Sequence, residues 1–157
     1  MYFRMRSIHT TISEVFVMFL LLPGGAFAGH CTQVGSHWYC GGVVNKASMT
    51  MKYTTNPNDN SVSGWCKFWN WDGYDNGDAG PTLHCTQHDL AKGKSYGGGG
   101  SSKGPDVDAF CYAANDYVVD TGGGYLRRVT KGVWTRIHDD QIYTCKMSGG
   151  LPLCTIS

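Results

Sequence analysis

Glutamate is almost missing from this chain: in 157 residues the one glutamate is Glu14, near the N-terminus. Carboxylate chemistry elsewhere falls to aspartate, and an acid–base pair of the glycosidase kind would need two of them. Charge is also scarce, at 16% of residues with a formal net charge of +1. That balance excludes an ordinary basic nucleic-acid binder and an acidic or basic disordered tail protein. Long apolar runs are few. The run VFVMFLLL at 15–22 has eight residues, far below the roughly 20 of a membrane span. Cys-x-x-Cys pairs are absent, which removes the close ligand spacing of structural zinc sites. The H-E-x-x-H and P-loop patterns are absent as well. The glycine run at 97–100 lacks the Lys-Ser/Thr ending that cradles a phosphate.

What is present begins with a leader. Arg4 and Arg6 precede the apolar run, Pro23-Gly24-Gly25 breaks it, and Ala26-Phe27-Ala28 offers a small-x-small cleavage site. The pattern predicts a signal peptide over 1–28 and one secreted domain over 29–157. That domain holds 11 Lys or Arg against 11 Asp, and its 129 residues suffice for a hydrophobic core.

All seven cysteines lie in this part: Cys31, Cys40, Cys66, Cys85, Cys111, Cys145 and Cys154. Export implies an oxidising environment, so disulfides are their default state. An odd number leaves one thiol free, or available for a disulfide-linked dimer. Cys31–Cys40 and Cys145–Cys154 are each nine residues apart. They read either as local loops at the two ends or as a clamp joining the termini. The clamp is favoured, because fraying ends gain most from a cross-link. Each bridge contributes about 2–4 kcal/mol.

The local pattern predicts an α+β domain: an antiparallel, disulfide-stapled sheet with one or two helices. Pro105 after Gly104, with Asp106 and Asp108 following, resembles a helix start. Val107, Phe110, Cys111, Ala114 and Tyr117-Val118 recur at helical spacing, predicting a helix over 105–118 with Cys111 tying it to a strand. A second short helix is predicted over 82–92. Segments 43–53 and 65–71 read as strands, with turn chemistry over 56–61 between them. Segments 125–129, 133–138 and 142–147 alternate as a meander. An all-β sandwich with a helical insertion is the alternative fold. The glycine-rich stretch 97–104 reads as a mobile loop.

Candidate chemistry is limited. On a strand, Trp65, Trp69 and Trp71 point one way with Lys67, while Cys66 and Phe68 point into the core. Three indoles on an outer face would bind sugar rings or a protein partner. Cover by another segment, such as the one with Trp38 and Tyr39, is the competing reading. Asp72, Asn76 and Asp78 resemble a calcium loop in residue type but not in spacing, and a plain turn explains them. His84 and His88 would share a helix face, but Cys85 stands where the zinc-protease glutamate belongs, so no metal and no cofactor is expected. His138 and Arg136, two apart on one strand face, with Arg127 or Arg128 on the neighbouring strand, are the candidates for ribonuclease-like acid–base chemistry beside a phosphate binder.

The leader, the domain length, the spaced odd set of cysteines and Trp38-Tyr39-Cys40 together resemble the small secreted cysteine-rich effector proteins of plant-associated fungi. Trp38-Tyr39-Cys40 is similar to the aromatic-x-Cys element that follows the cleavage site in many mildew and rust effector candidates. The resemblance concerns layout and points to no named family. It implies a secreted, non-enzymatic virulence or interaction protein whose partner is a host or extracellular protein or glycan, with no nucleic acid and no membrane span. Some such proteins have a ribonuclease-like fold without its catalytic residues. A carbohydrate-binding module using Trp65, Trp69 and Trp71, and a ribonuclease-like toxin using His138 and Arg136, are the two other expectations.

Overall fold

A computed structural model describes residues 31–72 and 75–157. The leader expected over 1–28 lies outside the described residues. In chain order the strands are β1 (Thr32–Val34), β2 (His37–Tyr39), β3 (Gly42–Asn45), β4 (Met51–Thr54), β5 (Trp65–Phe68), β6 (Thr82–His84) and β7 (His88–Leu90). There follow β8 (Lys94–Gly97), β9 (Ala109–Cys111), β10 (Tyr117–Asp120), β11 (Leu126–Val129), β12 (Val133–Arg136), β13 (Ile142–Ser148) and β14 (Leu151–Ile156). One sheet has the order β11-β10-β14-β13-β3-β8, the other β6-β5-β12-β9-β4-β7, and β1-β2 is a separate hairpin. Both six-stranded sheets are mixed: β10–β14, β13–β3 and β12–β5 are parallel pairs.

The sheets meet through aromatic rings. Phe110 of β9 packs on Tyr117 and Tyr143 of the opposite sheet, at centroid distances of 5.7 and 5.1 Å. The Tyr117 hydroxyl crosses the interface to the Val133 carbonyl at 2.8 Å and the Thr135 hydroxyl at 2.8 Å. Trp69 Nε1 donates to the same Thr135 oxygen at 2.9 Å. Tyr117 has one proton, and the Val133 carbonyl only accepts, so the donor order runs Trp69, Thr135, Tyr117, Val133.

The α+β expectation is corrected. A single 3-10 turn, Gly77–Ala79, is the helical content among the described residues, and the all-β alternative lacks its helical insertion. The helix predicted over 105–118 is instead β9, a turn and β10. Asp106 through Tyr112 are all buried. Seven consecutive buried residues do not fit a one-sided helical stripe; they fit a central strand covered on both faces. Asp106, the supposed helix-start acid, accepts from the Gly41 amide at 2.6 Å. The segment 82–92 forms β6 and β7 in place of a helix, because Cys85 must reach Cys66 across the β5–β6 pair. The meander also fails. β11 pairs with β10, whereas β12 lies between β5 and β9 in the other sheet. The Thr130–Val133 turn is thus a crossover between sheets.

The disulfides are Cys31–Cys40, Cys66–Cys85 and Cys145–Cys154. Both nine-residue spacings close local loops, so the clamp between termini is overturned. Cys145 and Cys154 are register partners across β13 and β14, so pairing needs no long-range approach. Cys111 is the odd one and ties nothing: it is free and buried on β9. A dimer bridge through it would require β9 to leave the core.

The glycine-rich stretch has a packing role. Trp38 and Gly100 exchange two backbone bonds of 2.8 and 2.9 Å, and Gly98 donates to Gly41 at 2.9 Å. A Cβ on Gly99 would lie 1.7 Å from the Trp38 oxygen, and one on Gly97 (φ +78°) 2.4 Å from the Gly41 oxygen. At Gly97 and Gly99 a side chain is excluded because two backbones pass in contact.

Burial pushes the Cys111 thiol up to about 12, with Lys52 pulling weakly the other way. Native protein treated with iodoacetamide at pH 8 without reductant should gain no adduct by mass spectrometry, and one adduct in guanidinium. A native adduct would overturn this placement. Tyr117→Phe deletes a buried donor at the sheet interface and should lower unfolding free energy by about 1–3 kcal/mol in urea titration, without changing the fold.

Candidate functional site

The described part of the segment 69–78 leaves β5 and lies against β11. Strand β5 ends at Phe68, so alternation stops before the second and third tryptophans. Trp65 is 55% exposed, Trp69 is 3% exposed, and Trp71 is half-buried against the core. The structure therefore does not bring the three indoles onto one open face. Two of them support arginines instead. The Arg127 guanidinium lies 4.6 Å over Trp69, and that of Arg136 lies 4.7 Å over Trp71. Arg136 also donates to the Trp71 carbonyl. Asn70 holds the end of β12 in place, accepting from the Arg136 amide at 2.8 Å and donating to its carbonyl at 3.2 Å.

Arg127 joins β11 to the 75–78 turn. It pairs with Asp75, and its Nη2 lies 3.7 Å from Asp78. Thr130 donates to Asp78 at 2.7 Å. Of the residues suspected of a calcium loop, Asp78 is thus committed to the neighbouring strand. No group of three or more His, Cys or Asp among the described residues is placed to hold a metal ion. His84 and His88 lie on different strands. His84 stacks on Trp65 at 3.7 Å and His88 on Tyr53 at 5.1 Å.

Beside the Arg127–Trp69 pair opens a cleft of about 490 Å³. Tyr125, Leu126 and Arg127 line one wall, Trp69, Asn70 and Asp75 another, and His138, Gln141 and Tyr143 also border it. Gly122, Gly123 and Gly124 all have positive φ, at 95°, 67° and 82°, and this turn delivers Tyr125 and Leu126 to the rim. Tyr125 is 79% exposed and Leu126 64% exposed. The Gln141 carbonyl oxygen accepts from the His138 amide at 3.1 Å, which leaves its amide nitrogen for a ligand. Burial pushes the Tyr143 phenol up to about 12, with the Asp120 charge adding to it. It stays a neutral donor at physiological pH. Arg127 Nε is buried without a hydrogen-bond partner among the described residues. An unpaired buried donor is costly.

The chemistry expected of His138 and Arg136 is only half assembled. His138 is exposed at the cleft, but Arg136 is turned to Trp71 and does not line it. Of the two arginines expected as neighbours, Arg127 shares the cleft, whereas Arg128 pairs with Asp116 at 2.9 Å. Tyr125, Leu126, Gln141 and Tyr143 escape a motif search. Their one sequence signal is the triple glycine placed before an exposed aromatic–apolar pair. Comparison of the chain with known protein families, curated proteins and solved structures returned no match.

The one arginine of the cleft is already paired with Asp75 and Asp78, so no free cation stands beside His138 among the described lining residues. Refolded protein incubated with RNA should therefore show no cleavage above background, and His138→Ala should match the native chain in a gel assay. Cleavage that the substitution abolishes would restore the ribonuclease reading.

Proposed function

We propose that this chain works outside the cell as a disulfide-stabilised interaction protein, binding a host or extracellular macromolecule without catalysing a reaction. Its contact site is the cleft walled by Tyr125, Leu126 and Arg127. The observation that carries this reading is the rim: two large side chains, 79% and 64% exposed, stand beside a buried arginine donor with no acceptor among the described residues. Keeping such apolar area in water forgoes about 25 cal/mol per Å². Apolar side chains clustered beside unpaired polar groups mark contact sites. Three disulfides support a place in an oxidising compartment. No helix among the described residues is long and apolar enough to cross a membrane.

The test has two arms. Expressed with its own leader in a secreting yeast, the chain should reach the medium beginning at Gly29. Fluorescently labelled secreted protein should bind the surface of plant or fungal protoplasts stripped of their wall polysaccharide, and the double variant Tyr125→Ala, Leu126→Ser should lose about tenfold or more in affinity. Both substitutions are at exposed positions and should leave the melting temperature unchanged. Retention of the chain inside the producing cell, or surface binding indifferent to the rim, would overturn the reading.

A further inference from the structure

Trp65 stands apart from the cleft, on the outer face of β5 and β6. More than half of its surface is in water, and its ring packs on an imidazole. The His84 ring, its cross-strand register partner, lies 3.7 Å away centroid to centroid. His84 is itself fixed by its Nδ1, 2.8 Å from the Val62 carbonyl. Gln87 donates to the Trp65 carbonyl at 2.9 Å. The residues next in sequence to the two rings, Cys66 and Cys85, are joined by a disulfide under them. Cys85 also donates its amide to the Gly64 carbonyl at 2.9 Å. A Cβ on Gly64 would lie 2.3 Å from the Cys85 oxygen, so the approach of the two chains requires glycine.

Gly64 and Cys85, the chain neighbours of Trp65 and His84, line a shallow groove of about 580 Å³ together with Ser61, Val62, Ser63, Thr86 and Gln87. None of these side chains is charged. The nearby formal charges, Lys67 on β5 and Asp59 close to His84, have opposite signs. Hydroxyls and one amide therefore line a groove whose residues adjoin Trp65 and His84 in the chain.

We propose that Trp65 and His84 form a binding platform for an uncharged polysaccharide. A pyranose presents a flat C–H face, which suits the indole, and a rim of hydroxyls, which suits the serines, Thr86 and Gln87. Because the disulfide and the imidazole already hold the indole in position, little side-chain freedom is lost on binding. A lipid surface or a protein partner would call for a broader apolar patch, and Trp65 is the one large exposed apolar residue of β5 and β6. An anionic polymer would call for a basic cluster, and the groove lining holds no Lys or Arg.

The experiment measures retention of the folded, oxidised protein on insoluble cellulose, chitin and xylan, with polygalacturonate as the anionic control. Titration calorimetry then uses cellohexaose, chitohexaose or xylohexaose. Retention on at least one uncharged polymer is expected, with the matching hexasaccharide bound about tenfold or more weakly by Trp65→Ala. Trp65→Phe should recover part of the loss, and the Tyr125→Ala, Leu126→Ser variant should bind as the native chain does. Near-UV circular dichroism and an intact Cys66–Cys85 bridge certify the fold of each variant. The proposal is overturned by no retention on any uncharged polymer, by retention that ignores Trp65, or by binding confined to polygalacturonate. Loss in the rim variant alone would assign the sugar to the cleft and likewise overturn the platform.

Discussion

Thr135 has no exposed surface, and its hydroxyl is where the two sheets and the aromatic segment meet. It accepts from Trp69 and donates to Tyr117, which in turn donates to the backbone of β12. Each group in that chain uses its proton once, so a polar line crosses an apolar interior without leaving a donor unpaired. The arrangement fixes Trp69 indoors. With Trp69 buried, its ring face becomes a support for Arg127, and Arg127 fastens β11 to the turn carrying Asp75 and Asp78. The cleft wall thus depends on a hydrogen bond in the core. Trp65, on the other side of Phe68, has no such partner and stays in water.

A second constraint is the close passage of backbones near the N-terminal hairpin. Gly41 and Gly42 run against Gly97 and Gly98, and Gly99 runs against Trp38. The hairpin is small and mostly exposed. It is held by the Cys31–Cys40 bridge and by the Trp38–Gly100 bond pair. Glycine serves elsewhere in the same chain to reverse direction, at Gly122–Gly124, where open space surrounds two of the three positions and positive φ is the requirement. Composition reports both uses as the same letter, so it does not separate a run that packs against neighbouring backbone from one that reverses the chain.

The strand segments show how far local pattern reaches. Period-two alternation around Val133, Thr135 and Ile137 correctly marks a strand, as it does at 125–129 and 142–147. Alternation identifies an inward face but carries no label for which sheet lies across it. Parallel pairings such as β13 with β3 join segments about a hundred residues apart, and no local signal encodes them. The segment around Phe110 fails for a different reason. Residues buried on every side have no periodicity, so proline and aspartate at 105–108 imitate a helix start. At the sites, Trp65 is legible as an exposed strand residue, whereas the fates of Trp69 and Trp71 depend on where β5 ends. The rim residues Tyr125 and Leu126 are visible only as an apolar pair after glycines.

By itself the amino-acid order determined the chemistry available: a chain of balanced charge, with one glutamate near its start, an odd set of widely spaced cysteines, and indoles concentrated in one short segment. Those properties are counts and spacings, and they hold whatever the chain's shape. Tertiary structure alone decided which cysteine stays a thiol, which tryptophan meets water, and which arginine borders the cleft. Each of those outcomes rests on two segments far apart in sequence competing for the same buried space, and the winner is set by packing and by unpaired hydrogen bonds that local pattern does not carry.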